Sequence, residues 1–252
     1  MPTICAAVIA RDAEEDIGDC LASLDWADER LVILDTRSAD RTAEIAAEMG
    51  ARVVPHPFED FAAQREFGLS LCESDWLFYV DTDERVPPPL AREIREVIED
   101  DSYAGWWVSR RNFFWGNEIR HGGWYPDYQL RLFRIGQAHY DMSRPVHEVV
   151  ILDGTEGYLR EPLIHYNYRN LRQFIAKQRQ YVAYEARILR DAGARARPWT
   201  YLLQPLREFR RRYCTLQGYR DGFWGLVLCA LVAYYYGFRA TVELGRLRRR
   251  EG

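Results

Sequence analysis

Few residues in this chain of 252 could cross-link it. The five cysteines, Cys5, Cys20, Cys72, Cys214 and Cys229, form no CxxC pair and follow no regular spacing. That excludes a disulfide framework and a zinc knuckle and leaves ordinary reduced thiols. Lysine is almost missing, Lys177 being the only one, so arginine carries the positive charge. There is no internal repeat and no low-complexity run, which excludes a solenoid and a disordered tail. Residues 1–10 hold no charged leader before an apolar run, and Met1-Pro2-Thr3 leads directly into a strand-like segment. The expectation is therefore no secretory signal and a cytosolic or cytosol-facing protein. The longest uncharged run, 222–238, would reach about 25 Å as a helix, short of the roughly 30 Å hydrocarbon core of a bilayer.

The apolar share of 48% and aromatic share of 14% are those of a chain that folds. Its net charge of −4 hides an asymmetry: residues 1–168 sum to −16 and residues 169–252 to +12. A basic tail beside aromatic runs points to an anionic surface, membrane or nucleic acid.

Apolar runs at 4–10, 30–35, 51–54 and 76–80 alternate with helical spacing at 13–24, 41–49 and 62–72, which predicts parallel βαβ units. Ser38 or Asp40 would cap the second helix. Ligands of such sheets bind at the carboxyl ends of the strands. Arg11-Asp12, Asp35 and Asp81-Thr82-Asp83 all fall there, so three loops are expected to line one crevice. Pro87-Pro88-Pro89 opens a further helix over 90–98. Beyond it, 106–108, 113–115, 130–133 and 163–166 look like sheet segments, interrupted by the turn His121-Gly122-Gly123-Trp124. A long amphipathic helix is expected over 171–189.

The run Trp76-Leu77-Phe78-Tyr79-Val80 delivers Asp81 and Asp83 to its end, where side chains two apart on a strand share a face and can converge on one hard cation. A polar turn after a buried strand would look the same. The run 222–238, with Trp224 and Tyr234-Tyr235-Tyr236, fits an interfacial or re-entrant helix at headgroup depth. Arg207, Arg210, Arg211 and Arg212 before it, and Arg246, Arg248, Arg249 and Arg250 after it, would meet lipid phosphates. A buried core helix or an oligomer contact through the C-terminal helices is the other reading.

Four segments in order carry a resemblance: Val8-Ile9-Ala10-Arg11-Asp12-Ala13-Glu14-Glu15, Val32-Ile33-Leu34-Asp35-Thr36-Arg37-Ser38-Ala39-Asp40, Phe61-Ala62-Ala63-Gln64-Arg65 and Val80-Asp81-Thr82-Asp83-Glu84. Together they resemble a family 2 glycosyltransferase over roughly residues 3–170. Gly123-Trp124-Tyr125-Pro126-Asp127, Arg131-Leu132-Phe133, Val146-His147-Glu148 and His165-Tyr166 are similar to the lipopolysaccharide core biosynthesis glucosyltransferases of the WaaE type. The resemblance implies an α/β fold of GT-A (Rossmann-like) type. Residues 1–168 would be the catalytic domain, with 1–100 as the nucleotide-sugar half and 101–168 as the acceptor half. Residues 169–252 would be a helical, membrane-associating extension.

It further implies a nucleotide-sugar donor, a UDP-sugar first, with a divalent metal, Mg or Mn, and inversion at the anomeric carbon. The acceptor would be a lipid-linked glycan, and the chain would be peripheral on the cytoplasmic face of an inner membrane. By resemblance Asp35 binds the base, and Ala10 and Arg11 line its pocket. Gln64 and Arg65 approach nucleotide or diphosphate, Asp81 holds ribose or metal, and Asp83 is the metal ligand. Asp127 would be the general base, with Trp124 stacked on a sugar. Glu148 is the competing base. His147 would complete the metal or diphosphate site, and Arg131 would orient Asp127 or meet the diphosphate. Two departures stand out: Thr36-Arg37-Ser38 replaces a small glycine-containing loop, and Thr82 replaces the usual alanine. Transfer to a polyprenyl phosphate or a protein is an alternative, as is a catalytically inactive, basic nucleic-acid-binding or scaffold protein. Basic residues confined to the tail, beside an acidic crevice, argue against nucleic acid.

Overall fold

The computed structural model describes residues 1–141 and 150–251, the last two by backbone alone. The expected site residues His147 and Glu148, and with them Val146, lie outside the described residues. The chain forms two compact units, residues 1–110 with 127–165 and residues 111–126 with 166–252.

The first unit is built on β1 (Ile4–Ala10), β2 (Glu29–Asp35), β3 (Arg52–His56) and β4 (Trp76–Asp81), parallel in the order β3-β2-β1-β4. Side-chain alternation along each strand divides the core between the two faces of the sheet. Ile4, Ala6 and Val8 face the layer of α1 (Ile17–Ala22), α2 (Thr42–Glu48) and α4 (Pro88–Val97). Cys5 and Ala7 face the side to which α3 (Phe61–Leu71) contributes Ala62. Close packing there depends on Gly68, where a Cβ would come within 2.5 Å of the Tyr79 hydroxyl and 2.8 Å of Ile33.

Register fixes which residues share an edge. Ala10 pairs with Leu34 and Ile9 with Asp81, so β1, β2 and β4 end together and set Arg11, Asp35 and Asp81 along one rim. Beyond β4 the sheet continues with antiparallel β8 (Asp127–Arg134) and then β6 (Gly105–Phe114). The short β5 (Glu84–Arg85) pairs with β12 (Leu163–Tyr168), which sets His165 opposite Glu84. Small strands β9 (Ala138–Tyr140) and β10 (Val150–Leu152) pair with each other, and β11 (Glu156–Tyr158) runs parallel to β6.

The first helix is shorter than its apolar spacing predicts. Backbone N–H groups ahead of it are claimed by the neighbouring loop: Asp12 donates to Ser38 Oγ (3.0 Å), Ala13 to Thr42 Oγ1 (2.7 Å) and Glu14 to Asp40 Oδ2 (2.8 Å). The N-cap position of α2 is Arg41, which offers no side-chain cap, and Asp40, one residue ahead of it, accepts from Thr42 N at 3.1 Å through Oδ1.

The second unit gathers α5 (Leu171–Asp191), α6 (Thr200–Arg210), α7 (Gly222–Val232) and α8 (Ala240–Glu251), with a wide helical turn, Ala233–Arg239, joining the last two. An aromatic core of Phe114, Tyr168, Phe174 and Tyr235 closes on Ile119 of β7 (Asn117–Ile119), Leu228 and Val232. Residues 111–126 belong with these helices because Phe114 and Ile119 are buried in that core and Trp115 and Trp124 pack against it. His121 donates from its backbone N to Asp221 at 2.7 Å, and Arg212 donates to the Gly122 carbonyl at 2.9 Å.

Helix α6 is absent from the sequence expectation because Pro198 and Pro205 punctuate it, yet Trp199, Leu202, Leu203 and Leu206 keep helical spacing. Pro205 lies against Gly237 and Tyr201 against Gly245, so α6 runs antiparallel to the last helical stretch. Going one step along from those contacts puts Leu202 and Leu206 on the same side as Tyr234 and Phe238, and all four are exposed. Tyr235 and Tyr236, expected at headgroup depth, instead pack into the aromatic core, Tyr235 being 7% exposed. Helical geometry turns neighbouring tyrosines about 100° apart, so a run of three cannot all face one surface. The stretch Gly218–Arg249 is long and apolar enough to cross a membrane by length and composition, and half of its apolar window is buried in the protein.

Candidate active site

Strand β4 stops at Asp81, and the chain turns before Glu84. The two aspartates therefore do not share a strand face as their spacing alone suggested. Glu84 closes the turn, its Oε2 accepting from Asp81 N at 2.9 Å. Asp81 faces α3 and receives Arg65 Nη2 at 2.9 Å and Arg131 Nη1 at 3.3 Å, with a second, shorter bond from Arg131 Nη2. Burial raises its pKa, but the charges of Arg131 and Arg65 outweigh that and hold the carboxyl far below its usual range. Asp83 turns the other way, its Oδ2 lying 3.5 Å from His165 Nε2.

Arg131 reaches Asp81 because β8 carries an extra residue there. Trp106 pairs with Leu132 and Trp107 with Leu130, so Arg131 is skipped in the ladder and its side chain is re-aimed. Glu84, fully buried, accepts from Arg131 Nη2 (3.4 Å) and Arg110 Nη1 (3.3 Å). Arg110 stands directly opposite Asp127 in the β6–β8 ladder, and its Nε and Nη2 meet Asp127 Oδ2 at 2.8 and 2.6 Å. Gln129 Nε2 donates to Asp127 Oδ1 at 3.0 Å. Asp81, Glu84 and Asp127 thus interleave with Arg65, Arg110 and Arg131, so buried charges compensate each other. A cavity of about 530 Å³ opens on this network, lined by Arg65, Asp81, Arg110, Arg131 and Gln129 among others.

At the end of β2, Asp35 is buried and Arg37 grips it, with Nε at 3.1 Å from Oδ1 and Nη2 at 2.9 Å from Oδ2. That fork lowers the Asp35 pKa, and Arg11 Nη1, 3.6 Å away, adds to it. The unusual Thr36-Arg37-Ser38 loop thereby neutralises the carboxylate that the resemblance gives to the base. Ala10 is buried at the end of β1 and Arg11 is exposed beside it. Gln64 is buried within α3, its Oε1 2.9 Å from His56 Nδ1. Trp124 belongs to the other unit, edge-on to Phe114 with centroids 4.8 Å apart and 5.7 Å from the Arg212 guanidinium carbon.

The donors near the strand ends fit a small divalent cation in part. Asp83 and His165 offer one carboxylate oxygen and one imidazole nitrogen, and ions that keep several waters and share substrate phosphates need few protein ligands. Asp81, by contrast, is already engaged by two guanidiniums. Three residues here were not singled out for the site from sequence: Glu84, Arg110 and His165. Glu84 stands in the acidic motif itself, but only strand pairing reveals Arg110 and His165 as neighbours of Asp127 and Asp83.

The profile of Glycosyl transferase family 2 matches residues 5–166, well over half the chain. The chain belongs to that family. The fold of the first unit is accordingly the GT-A sheet expected from the motifs. The lipopolysaccharide core biosynthesis glycosyltransferase LpsC of Rhizobium meliloti (strain 1021) is 30% identical over 244 residues, 91% of this chain and 90% of that protein. An uncharacterized glycosyltransferase of Rickettsia felis (strain ATCC VR-1525 / URRWXCal2) is 23% identical across 98% of this chain and 90% of its own length. Among solved structures, glucosyl-3-phosphoglycerate synthase from Mycobacterium tuberculosis, in complex with Mn2+, UDP and glucosyl-3-phosphoglycerate, aligns with a TM-score of 0.47 at 17% identity. That alignment covers 77% of this chain and 81% of that one.

Proposed function

We propose that this glycosyltransferase moves a hexose from a UDP-sugar to a lipid-linked glycan, with inversion and with Mg or Mn. The observation that carries the reading is the division of labour among the acids at the strand ends. Asp83 stands with His165, while Asp127 is held by Arg110 and Gln129. Asp83 and His165 would hold the cation, which when bound supplies positive charge to the departing diphosphate. Asp81, with Arg65 and Arg131, would border the nucleotide side, and Asp35 the base. Asp127 takes the proton of the acceptor hydroxyl, and Arg110 fixes its orientation. A single base with no side-chain nucleophile gives direct displacement and hence inversion. The lipid-linked acceptor rests on the relationship to LpsC. Titration of the full chain with UDP- and GDP-sugars in Mn and in Mg tests this directly. A UDP-hexose is expected to bind only with metal and to turn over with a lipid-linked oligosaccharide; if no nucleotide sugar binds with either metal, the reading fails.

The second unit would hold the protein on the bilayer surface. Leu202 and Leu206 are 73% and 61% exposed, and Phe223 is 68% exposed. Arg207 and Arg210 stand exposed on the same helix, matching anionic headgroups. Spanning is disfavoured because α6, with Arg207, Glu208 and Arg210, packs along the apolar helix and would enter hydrocarbon with it, at about 2.5–3.5 kcal/mol or more for each charge. The docking face is thus α6 with the exposed side of 222–238, in place of the 222–238 helix alone. Wild-type chain is expected to bind phosphatidylglycerol vesicles in a salt-sensitive way, and the double variant Leu202→Glu/Leu206→Glu to bind more than about tenfold more weakly. Equal co-sedimentation of the two would sink this placement.

A further inference from the structure

The cavity over Arg65, Asp81, Arg110 and Arg131 also extends to Trp107 and Glu156. Trp107 of that lining belongs to a group of three aromatic rings. Trp107 and Tyr158 lie nearly parallel, centroids 6.2 Å apart and planes at 15°, and Tyr128 stands edge-on to Tyr158 at 5.1 Å. Tyr158 and Tyr128 are exposed, so ring faces meet water beside a polar cavity.

Local backbone structure builds this group. Strand β11 pairs parallel with β6 so that Tyr158 sits beside Trp107. Between them Gly157 lies against the Trp106 ring, where any Cβ would collide, so only glycine allows the strands this approach. Strand alternation leaves Trp106 on the packed face of the sheet while Trp107 lines the cavity. Trp107 Nε1 donates to Glu156 Oε2 at 2.7 Å, which fixes the indole and holds a carboxylate at its edge. Gln129 lines the same cavity and joins it to Asp127 through its 3.0 Å hydrogen bond.

Ring faces bordered by a carboxylate and an amide suit a pyranose. Its axial C–H groups cover an apolar ring while its equatorial hydroxyls need acceptors and donors at the rim. A purely apolar partner would strand the charge of Glu156. We propose that Trp107, Tyr128 and Tyr158, with Glu156 and Gln129, form a saccharide subsite that seats the acceptor sugar. Gln129, which lines that cavity with Trp107 and bonds Asp127 at 3.0 Å, links the subsite to the base. This deepens the transferase reading and rests on it for the word acceptor; the saccharide site itself does not.

The saccharide titrations use the full chain without donor or metal. Saturation-transfer NMR with methyl hexopyranosides and a deacylated lipopolysaccharide core oligosaccharide is compared for wild type, Trp107→Ala, Trp107→Phe and Tyr158→Ala. Wild type is expected to bind at least one probe through its C–H face. Trp107→Ala and Tyr158→Ala should weaken that binding about tenfold, the size of one lost stacking contact, and Trp107→Phe should restore most of it. UDP affinity with Mn, measured by calorimetry, should be unchanged in all three variants. Tyr158→Ala removes an exposed ring and keeps the test open if Trp107→Ala fails to fold. Absence of saccharide binding in wild type, or equal binding in wild type and Tyr158→Ala, overturns the proposal. Saccharide binding without binding of any UDP- or GDP-sugar in Mn or Mg would leave the subsite standing and remove the proposed donor reading instead.

Discussion

Asp83→Ala is expected to abolish the metal dependence of UDP binding and to lower sugar transfer by about 10²–10³-fold, the worth of roughly 3–4 kcal/mol of charge stabilisation on a leaving diphosphate. The size stems from how the acids are divided. Asp81 is committed to Arg65 and Arg131, so it cannot replace a lost carboxylate without breaking two ion pairs. His165, 3.5 Å from Asp83, would then be the one remaining donor of the pair. Removal of His165 alone is expected to cost less, about 10–100-fold in metal affinity, because the carboxylate still supplies the charge. The measurements are calorimetric titration of UDP with and without Mn, and initial rates of transfer. Fold loss is not expected, because the Asp83 side chain is partly exposed and its backbone lies in a turn. If UDP binds Asp83→Ala with unchanged affinity and unchanged Mn dependence, the cation belongs elsewhere.

In the sequence, the four parallel strands were legible because short apolar runs alternating with stretches of helical spacing suit strands of a sheet covered on both faces. Strand ends were legible too, and register confirms that Arg11, Asp35 and Asp81 end their strands at one rim. Past a strand end the path of the chain is decided by turns, and there sequence spacing misled. Asp81 and Asp83 looked like a converging pair only on the assumption that the strand continues. The bond from Asp81 N to Glu84 ends it.

Long-range pairing was illegible for a different reason. Nothing near Asp127 in the chain announces Arg110, because their meeting depends on antiparallel register between β6 and β8. The skipped residue that aims Arg131 at Asp81 is likewise a property of two strands together. Arg37 was visible as a departure, but its meaning needed coordinates: a bidentate grip on Asp35. In the second unit the apolar run 222–238 was legible as a helix, while its buried face was not. Which tyrosines are buried depends on α6 and α5, and α6 was hidden by its prolines.

The Asp127→Asn variant separates binding from chemistry. It is expected to keep UDP–metal affinity within about twofold and to lose transfer by about 10²–10⁴-fold, the usual worth of a positioned general base. The substitution is nearly isosteric, and its carbonyl oxygen can still accept from Arg110 or Gln129, so the local ladder should hold. Arg110 also keeps Glu84 as a carboxylate partner at 3.3 Å, so no guanidinium is left without one. What the amide lacks is the ability to take a proton from the acceptor hydroxyl. A structural role would instead lower stability and donor affinity together, and a melting curve beside the calorimetry tells the two apart. Hydroxide concentration offers a further discriminant: residual transfer by the variant should rise with pH as solvent takes over deprotonation, while wild type stays flatter over the same range. Full transfer by Asp127→Asn, joined to loss in Glu148→Gln, would move the base to Glu148 and leave Asp127 as the partner that holds Arg110 in place.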